Sequence, residues 1–273
     1  MNRKFVFLDI DGTLISFNGV FPDETLEALK QAHKNGHKLI ISTGRQQSQI
    51  YPWLLKLGLF DAVIATAGAN IRADGKTLST HFMAKDKLDF IHGYLEENHM
   101  PYAVQTEKEM VVEPWCGKEI AAYNKKIGMS EEKSKSLFGG VRVVDDIREL
   151  ENAEKIAYYC APKNAKEVAK DIGDYFNVNI FSFGNAPDTN GEISINGVNK
   201  ASGMQEILDY YSGKREDTIA FGDADNDIEM LEFANIGVAM GNATQTLKDS
   251  ADYVTDDVEE CGLYNAFKKF NLI

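Results

Sequence analysis

Residues 5–80 alternate short apolar runs with amphipathic stretches, and this alternation restricts the fold more than any single residue does. FVFL reads as a buried strand, and PDETLEALKQAHKNG as a helix with start signals at Pro22 and Asp23, an apolar side at Leu26, Leu29 and Ala32, and a stop at Gly36. HKLIIS is a second strand. QSQIYPWLLKLG follows, with Ile50, Trp53, Leu54 and Leu57 at helical spacing, Gly58 at its end and Pro52 in its first turn or at a kink. DAVIAT is a third strand, and NIRADGKTLST a hairpin around Asp74-Gly75. Strand, helix, strand, helix, strand predicts a parallel sheet with right-handed crossovers.

Between residues 83 and 186 the pattern changes. Strand signals (PYAVQT, EMVVEP) and helical ones (DKLDFIHGYLEEN, NAKEVAKDIGDYF) mix there as in an inserted α+β unit. After the turn-rich GNAPDTNG come EISING, the helix KASGMQEILDYYSG, the strand DTIAFGD, the helix NDIEMLEFA and the strand IGVAM, which read as a return to the parallel pattern. The expectation is an α/β protein with a Rossmann-like parallel core formed by residues 1–82 and 187–273, interrupted by an α+β domain over 83–186.

The chain carries 29 Lys and Arg against 42 Asp and Glu, a net charge of −13, with no basic run. That balance repels nucleic acid and anionic lipid, and it requires local cations wherever a phosphate is to bind. The cysteines Cys116, Cys160 and Cys261 are far apart and outside any C-x-x-C spacing, so neither a disulfide framework nor a zinc site is indicated, and buried free thiols are expected. The apolar run at the N-terminus stops at Asp9, too early for a signal-peptide core, and no stretch has the apolar length of a membrane helix. A cytoplasmic protein with no membrane, nucleic-acid or protein partner is expected.

In an open α/β sheet, ligands bind beyond the carboxyl ends of the strands, so the strand exits locate the chemistry. Asp9 and Asp11 leave the first strand one residue apart, and the alternation of strand side chains aims both at one point. Two such charges need a cation, a shared proton or open water, the last being a solvated acidic turn with Gly12 at positive φ. Thr43 and Gly44 leave the second strand, where a hydroxyl and backbone N–H groups leading into a helix suit an anion, though Thr43 also fits a helix cap. Lys200 begins an amphipathic helix, a place where most lysines are simply solvated. In FGDADNDIEML, Asp223, Asp225 and Asp227 cluster with Asn226 behind a buried strand. A helix N-terminus accounts for Asp225, but not for so many acids beside Gly-Asp, and hard oxygen ligands of this kind suit Mg²⁺ completed by a substrate phosphate.

Taken in order, DIDGT, STGR, Lys200 and GDADND resemble the four motifs of the haloacid dehalogenase superfamily of phosphohydrolases, over the full chain. The subgroup they resemble is the Cof type, with a large α/β cap inserted between the second and third motifs. The resemblance implies a Mg²⁺-dependent phosphatase for a small phosphorylated metabolite. In it, Asp9 would attack phosphorus to give an aspartyl-phosphate, and Asp11 would act as acid and then base. Asp9, the backbone carbonyl of Asp11, Asp223 and Asp227 would hold the metal, Asp227 directly or through water. Thr43, Gly44, Lys200 and Asn226 would hold the phosphoryl oxygens. Tyr102, Trp115 and Tyr123 of the insert are candidates for discriminating among substrates.

Ala67 stands where the subgroup has the Asn of Asn-Gly-Ala, and Cys261 where an acid is common. Arg45 matches the subgroup but also reads as a helix-surface charge. His33 and His37 are separated by the helix breaker Gly36 and read as exposed polar residues rather than a metal pair. A phosphomutase with the same acid pair and a silent phosphometabolite-binding protein remain as alternatives. A receiver-like module would carry its acceptor Asp on a later strand and no insert, and a P-loop NTPase would need G-x-x-x-x-G-K-[ST].

Overall fold

In the computed structural model, which describes residues 3–128, 140–181 and 188–273, the first strand is buried at every position. The strands in chain order are β1 (Phe5–Leu8), β2 (Lys38–Ser42), β3 (Ala62–Ala65), β4 (Asn70–Ala73), β5 (Lys76–Thr80), β6 (Tyr102–Gln105), β7 (Met110–Val112), β8 (Val141–Val143), β9 (Lys155–Tyr158), β10 (Phe176–Ile180), β11 (Gly191–Ile195), β12 (Thr218–Gly222), β13 (Ile236–Ala239) and β14 (Tyr253–Val254).

The chain divides into two compact units: residues 1–44, 51–79 and 199–273 in the first, 45–50 and 80–198 in the second. The first holds a sheet ordered β14-β13-β12-β1-β2-β3-β4-β5. It is parallel from β14 to β3, and β4 turns back antiparallel to β3. The expected hairpin follows, with Asp74 (φ 48°) and Gly75 (φ 74°) both left-handed as a tight hairpin turn requires. From β1 the chain moves outward through β2 and β3 and later returns beside β1 at β12, continuing the other way. The topological switch point therefore lies between the exits of β1 and β12, where open α/β sheets place their ligands. Phe5, Phe7, Ile40, Ile64 and Ala220 of the sheet bury with Met204, Ile207 and Leu208 of the helix Lys200–Tyr211. Each large side chain so removed from water stabilises the fold by roughly 1.5–3 kcal/mol.

Two expectations change. QSQIYPWLLKLG is not one helix but a 3₁₀ turn, Gln47–Gln49, and a single α-turn, Pro52–Leu55. Proline excludes its predecessor from the helical region, so Tyr51 is not helical (ψ 118°), and Ile50 before it is extended (ψ 132°); Pro52 starts the second turn and Trp53 stays exposed. The second change concerns EISING. Strand β11 pairs antiparallel with β9 and β10 in the other sheet, ordered β10-β11-β9-β6-β7-β8, and the first unit resumes at Asn199 rather than residue 187. The reason is legible in retrospect: Glu192, Ile193, Ser194 and Ile195 alternate polar and apolar, which suits a half-buried antiparallel strand and not a buried parallel one. The junction at 186–187 and the start of GNAPDTNG lie outside the described residues.

The second unit is α+β, its sheet antiparallel except for the β7–β8 pair. The helices Lys85–Glu97 and Ala165–Ile172 supply Leu88, Ile91, Leu95, Val168 and Ile172 to its core. Among the described residues no helix is long and apolar enough to cross a membrane. The thiols are free, but only Cys116 is buried; Cys160 is exposed and Cys261 half-buried.

Candidate active site

Ladder geometry brings the β1 and β12 exits together: the Asp9 N–H donates to Phe221 O at 3.1 Å, extending the strand pairing by one residue. Asp9 and Asp223 are both buried, and so is Asp227. Carboxylate oxygens of these three lie within 4.8 Å of one another. Into this group reaches Lys200, only 1% exposed, whose Nζ donates to Asp9 Oδ1 at 2.8 Å and to Asp227 Oδ1 at 2.5 Å. Lys200 is placed by the cap of its helix: Asn199 Oδ1 accepts from the Ser202 N–H at 2.8 Å, and Ser202 Oγ accepts from the Asn199 N–H at 3.0 Å. This lysine is not a solvated surface residue.

The loop after β12 is folded around Asp227. Its Oδ2 accepts from the N–H groups of Asp223 (3.0 Å) and Ala224 (3.2 Å), while Asp223 O accepts from the Thr244 N–H at 2.9 Å. Asp225 points elsewhere, exposed and bonded to Thr244 Oγ1 at 2.6 Å, as the helix N-terminus reading of it implies. Glycine is required twice. Gly12 has φ +85°, and a Cβ there would lie 2.1 Å from Asp223 Oδ2; at Gly222 a Cβ would strike Asp227 Cβ at 2.5 Å.

Asp11 lies beyond β1 and is half-buried; its charge acts on both Asp9 and Asp223. Burial first, with Asp227 and Asp11 adding to it and Lys200 opposing, pushes Asp9 up to about 7 when only protein groups are counted. Burial, Asp9 and Asp227 push Asp223 up to about 9 against Lys200. For Lys200, burial would depress the ammonium, but Asp227 and Asp9 outweigh it and hold it above its ordinary range. One buried cation thus faces an excess of buried acids. An all-oxygen donor set with that imbalance fits a hard divalent cation, and Asp9, Asp223 and Asp227 could hold one.

Thr43 is buried one strand over, at the exit of β2, its N–H bonded to Ile64 O at 2.8 Å and its carbonyl accepting from Ala67 N at 2.9 Å. Gly44 follows it half-buried, but no helix begins there, so any anion would meet loop backbone and not a helix N-terminus. Asn226 is half-buried in the turn Asp225–Asp227. Ala67 is left-handed (φ 52°, ψ 39°), a conformation that Asn, the subgroup's residue, tolerates better than Ala. Gly68 beside it has φ +102° and no room for a Cβ, which would lie 2.2 Å from Asn199 O.

Several readings are corrected. Arg45 is buried in the second unit and donates from Nη1 to Gln49 O at 3.1 Å, so it is no helix-surface charge. His37 is buried, its Nδ1 accepting from the Lys4 N–H at 3.0 Å, whereas His33 is exposed as expected. Tyr102 is fully buried in the core of the second unit, its hydroxyl 2.7 Å from His92 Nδ1, and is no candidate to face a ligand. Trp115 and Tyr123 are half-buried against the same core, bonded to Glu96 Oε1 (2.8 Å) and Asn190 Nδ2 (2.7 Å). Sequence reasoning missed Thr13, whose Oγ1 donates to Asp223 Oδ1 at 3.4 Å, and Asn242, whose Nδ2 donates to Gly12 O at 2.8 Å. Thr13 was within reach as the last residue of DIDGT; Asn242 belongs to no pattern.

A profile of the haloacid dehalogenase-like hydrolases matches residues 6–267. The chain is similar along nearly its whole length to the 5-amino-6-(5-phospho-D-ribitylamino)uracil phosphatase YitU of Bacillus subtilis, 27% identical over 268 residues that cover 97% of this chain and 96% of YitU. It is similar also to the pyridoxal phosphate phosphatase YbhA of Escherichia coli, 28% identical over 264 residues, 94% of each chain. Among solved structures, the sugar phosphatase BT4131 of HAD subclass IIB superposes with a TM-score of 0.82 at 26% identity, over 99% of this chain and 100% of that one. Since the match runs through both units, and the first carries its buried acids and lysine at the strand exits, the chain belongs to the haloacid dehalogenase-like hydrolases and is a Cof-type phosphatase.

Proposed function

We propose that the protein is a Mg²⁺-dependent hydrolase of small phosphomonoesters that works through an aspartyl-phosphate on Asp9. The observation that carries this reading is the Lys200 ammonium held at 2.8 Å from Asp9 Oδ1 inside a group of acids that outnumber it. Lys200 favours the ionised form of Asp9 against the burial that raises it, and aims the carboxylate, as a nucleophile requires. Two of its three N–H donors go to Asp9 and Asp227, leaving one for a phosphoryl oxygen.

An Asp9 oxygen attacks phosphorus and the ester P–O bond breaks; the leaving oxygen takes its proton from Asp11. Asp11, now ionised, removes a proton from water, the water oxygen attacks the aspartyl-phosphate, and Asp9 is released with inorganic phosphate. Thr43, Gly44 and Asn226 add donors for the equatorial oxygens. Asp9, the Asp11 carbonyl and Asp223 would hold Mg²⁺. Asp227 would act through water, because both of its oxygens are engaged by Lys200 and by the loop N–H groups. Bound there, Mg²⁺ supplies charge that lets an anionic phosphate approach an anionic nucleophile.

YitU and YbhA, named for phosphorylated small molecules, support a substrate of that class. The test is phosphate release from a panel of phosphorylated metabolites with Mg²⁺ and with excess chelator. Mg²⁺-dependent release is expected. Equal rates in chelator would remove the metal, and isomerised ester without free phosphate would make the enzyme a mutase.

A further inference from the structure

Gly12 follows the acid pair at the exit of β1, and glycine has the widest backbone freedom of any residue. The first unit pins it on both sides. Its N–H, in the peptide plane that carries the Asp11 carbonyl, donates to Ile15 O at 2.6 Å, and its own carbonyl accepts from Asn242 Nδ2 at 2.8 Å. The first bond comes with the local turn, whereas the second joins positions 230 apart in the chain. Asn242 lies in the segment after β13, which runs along the exit of β12: the Met240 N–H donates to Gly222 O and the Thr244 N–H to Asp223 O, both at 2.9 Å. From between these two anchors Asn242 reaches across to the exit of β1.

The Asn242 amide has one orientation. The Val258 N–H donates to its Oδ1 at 3.1 Å, and Gly12 O can only accept, so Nδ2 must face Gly12. Aspartate there would set an acceptor against an acceptor, and alanine would offer nothing. The phosphoryl transfer has no direct use for Asn242, but the group it holds is no ordinary loop carbonyl. Gly12 stands between Asp11 and Thr13, whose hydroxyl donates to Asp223 Oδ1. A Cβ at Gly12 would strike Asp223, so a stiffer residue cannot take over the pinning from within. The freedom that glycine brings to this turn has to be removed from outside, and the Asn242 amide is placed to do it. Without that amide the Gly12 carbonyl loses its partner, and the Asp11–Gly12 segment is free to turn relative to Thr13.

We propose that Asn242 is a positioning residue for the proton transfer: by fixing the Gly12 carbonyl it holds the Asp11 carboxyl where the leaving oxygen needs its proton. The inference rests on the phosphatase reading above, with Asp11 as the acid. An alkoxide leaves only if protonated, whereas p-nitrophenolate is a stable anion and leaves with little help. Full-length protein in excess, at saturating Mg²⁺, is mixed with glycerol phosphate or p-nitrophenyl phosphate, and release of the alcohol is followed in a single turnover, which ends at the aspartyl-phosphate. Wild type, Asn242→Ala, Asp11→Asn and the double variant are compared. Asn242→Ala loses about tenfold more rate on glycerol phosphate than on p-nitrophenyl phosphate, Asp11→Asn about 100-fold more, and the double variant no more than Asp11→Asn. A clip that merely held two loops together would slow both esters alike and would add its effect to that of Asp11→Asn. Asn242→Asp keeps the shape and the acceptor for the Val258 N–H, and replaces Asn242→Ala if that does not fold, with a similar difference of about tenfold expected.

Losses on the two esters that agree within about twofold in the folded Asn242 variants overturn the inference. So does a difference between the esters that appears in full on top of Asp11→Asn, or that appears in Asn242→Ala and not in Asp11→Asn. If wild type releases alcohol from neither ester, the phosphatase reading fails, and hydrogen exchange at the Gly12 amide decides this one separately. Exchange about tenfold faster in Asn242→Ala than in wild type then supports the positioning of Asp11, and equal exchange overturns it.

Discussion

Among the described residues two lysines are 1% exposed, Lys200 in the first unit and Lys155 in the second, and their surroundings differ. Lys155 meets Glu192, a carboxylate that is itself partly exposed, at 2.6 Å. Lys200 meets two, Asp9 and Asp227, with Asp223 in the same group and Asp11 acting on it from the edge. A lysine beside a partly exposed carboxylate makes no demand for a second cation. An excess of buried acid asks for another cation, and the same excess makes a phosphate tolerable once that cation is bound. Burial of a lysine therefore carries no functional meaning until the acids around it are counted.

The largest expected effect tests the acid on which the first arrangement depends. Asp9→Asn keeps the shape and one Lys200 acceptor but cannot attack phosphorus, and kcat should fall by at least about 10⁴-fold with an unchanged circular dichroism spectrum. Turnover within tenfold of wild type would assign the nucleophile elsewhere. Next is the contrast between the lysines themselves. Removing Lys200 leaves buried acid unpaired, a loss of about 3–5 kcal/mol in chelator, and removing Lys155 costs less, because Glu192 is partly exposed. Mg²⁺ should restore much of the stability of Lys200→Met, whose acids can share the ion, and little of that of Lys155→Met, since Glu192 belongs to no such group of acids among the described residues. Equal rescue in denaturant titrations would erase the distinction drawn here.

A smaller change sharpens the metal side alone. Asp223→Asn keeps an oxygen for the Thr13 hydroxyl but removes one charge, so the Mg²⁺ concentration for half-maximal activity should rise by about 10–100-fold while saturating kcat falls less. An unchanged Mg²⁺ requirement would show that Asp223 is not a ligand.

Most of this contrast was legible from one end only. The strand exits of the first unit announce themselves because Asp9, Asp223 and Asp227 interrupt buried apolar runs, which is costly unless chemistry requires it. Its parallel sheet follows from the same runs. The second unit hid its polar row because Gln105, Lys155, Glu192 and Ser194 alternate with apolar residues, a pattern identical to that of an ordinary solvated strand. Only strand pairing reveals that they adjoin, and only burial that Gln105, Lys155 and Ser194 are out of water. The return to the first unit was misplaced for the same reason, since EISING looks like a strand without saying which sheet it joins. The short helix at Pro52 shows local chemistry overruling periodicity: Ile50, Leu54 and Leu57 keep helical spacing, yet Tyr51 before the proline cannot be helical.

The smallest effect tests the third way this fold buries a basic side chain. Among the described residues His37 has no carboxylate paired with it; its Nδ1 accepts from the Lys4 N–H, which requires that nitrogen to be unprotonated. Burial first, and Lys4 with it, lowers the His37 pKa below its ordinary value. The unfolded chain then binds a proton that the folded one refuses. Stability is fully present above the unfolded pKa near 6.5 and is lost as the pH falls below it, by no more than about 1.4 kcal/mol per pH unit for one proton. His37→Asn keeps an oxygen acceptor for the Lys4 N–H and cannot titrate. Denaturant midpoints at pH 7 and pH 5 should therefore separate more for wild type than for the variant, all other titrating groups being common to both. Parallel pH dependences would mean that His37 accepts its proton in the folded state, and that burial without a counter-ion does not keep a basic group neutral here.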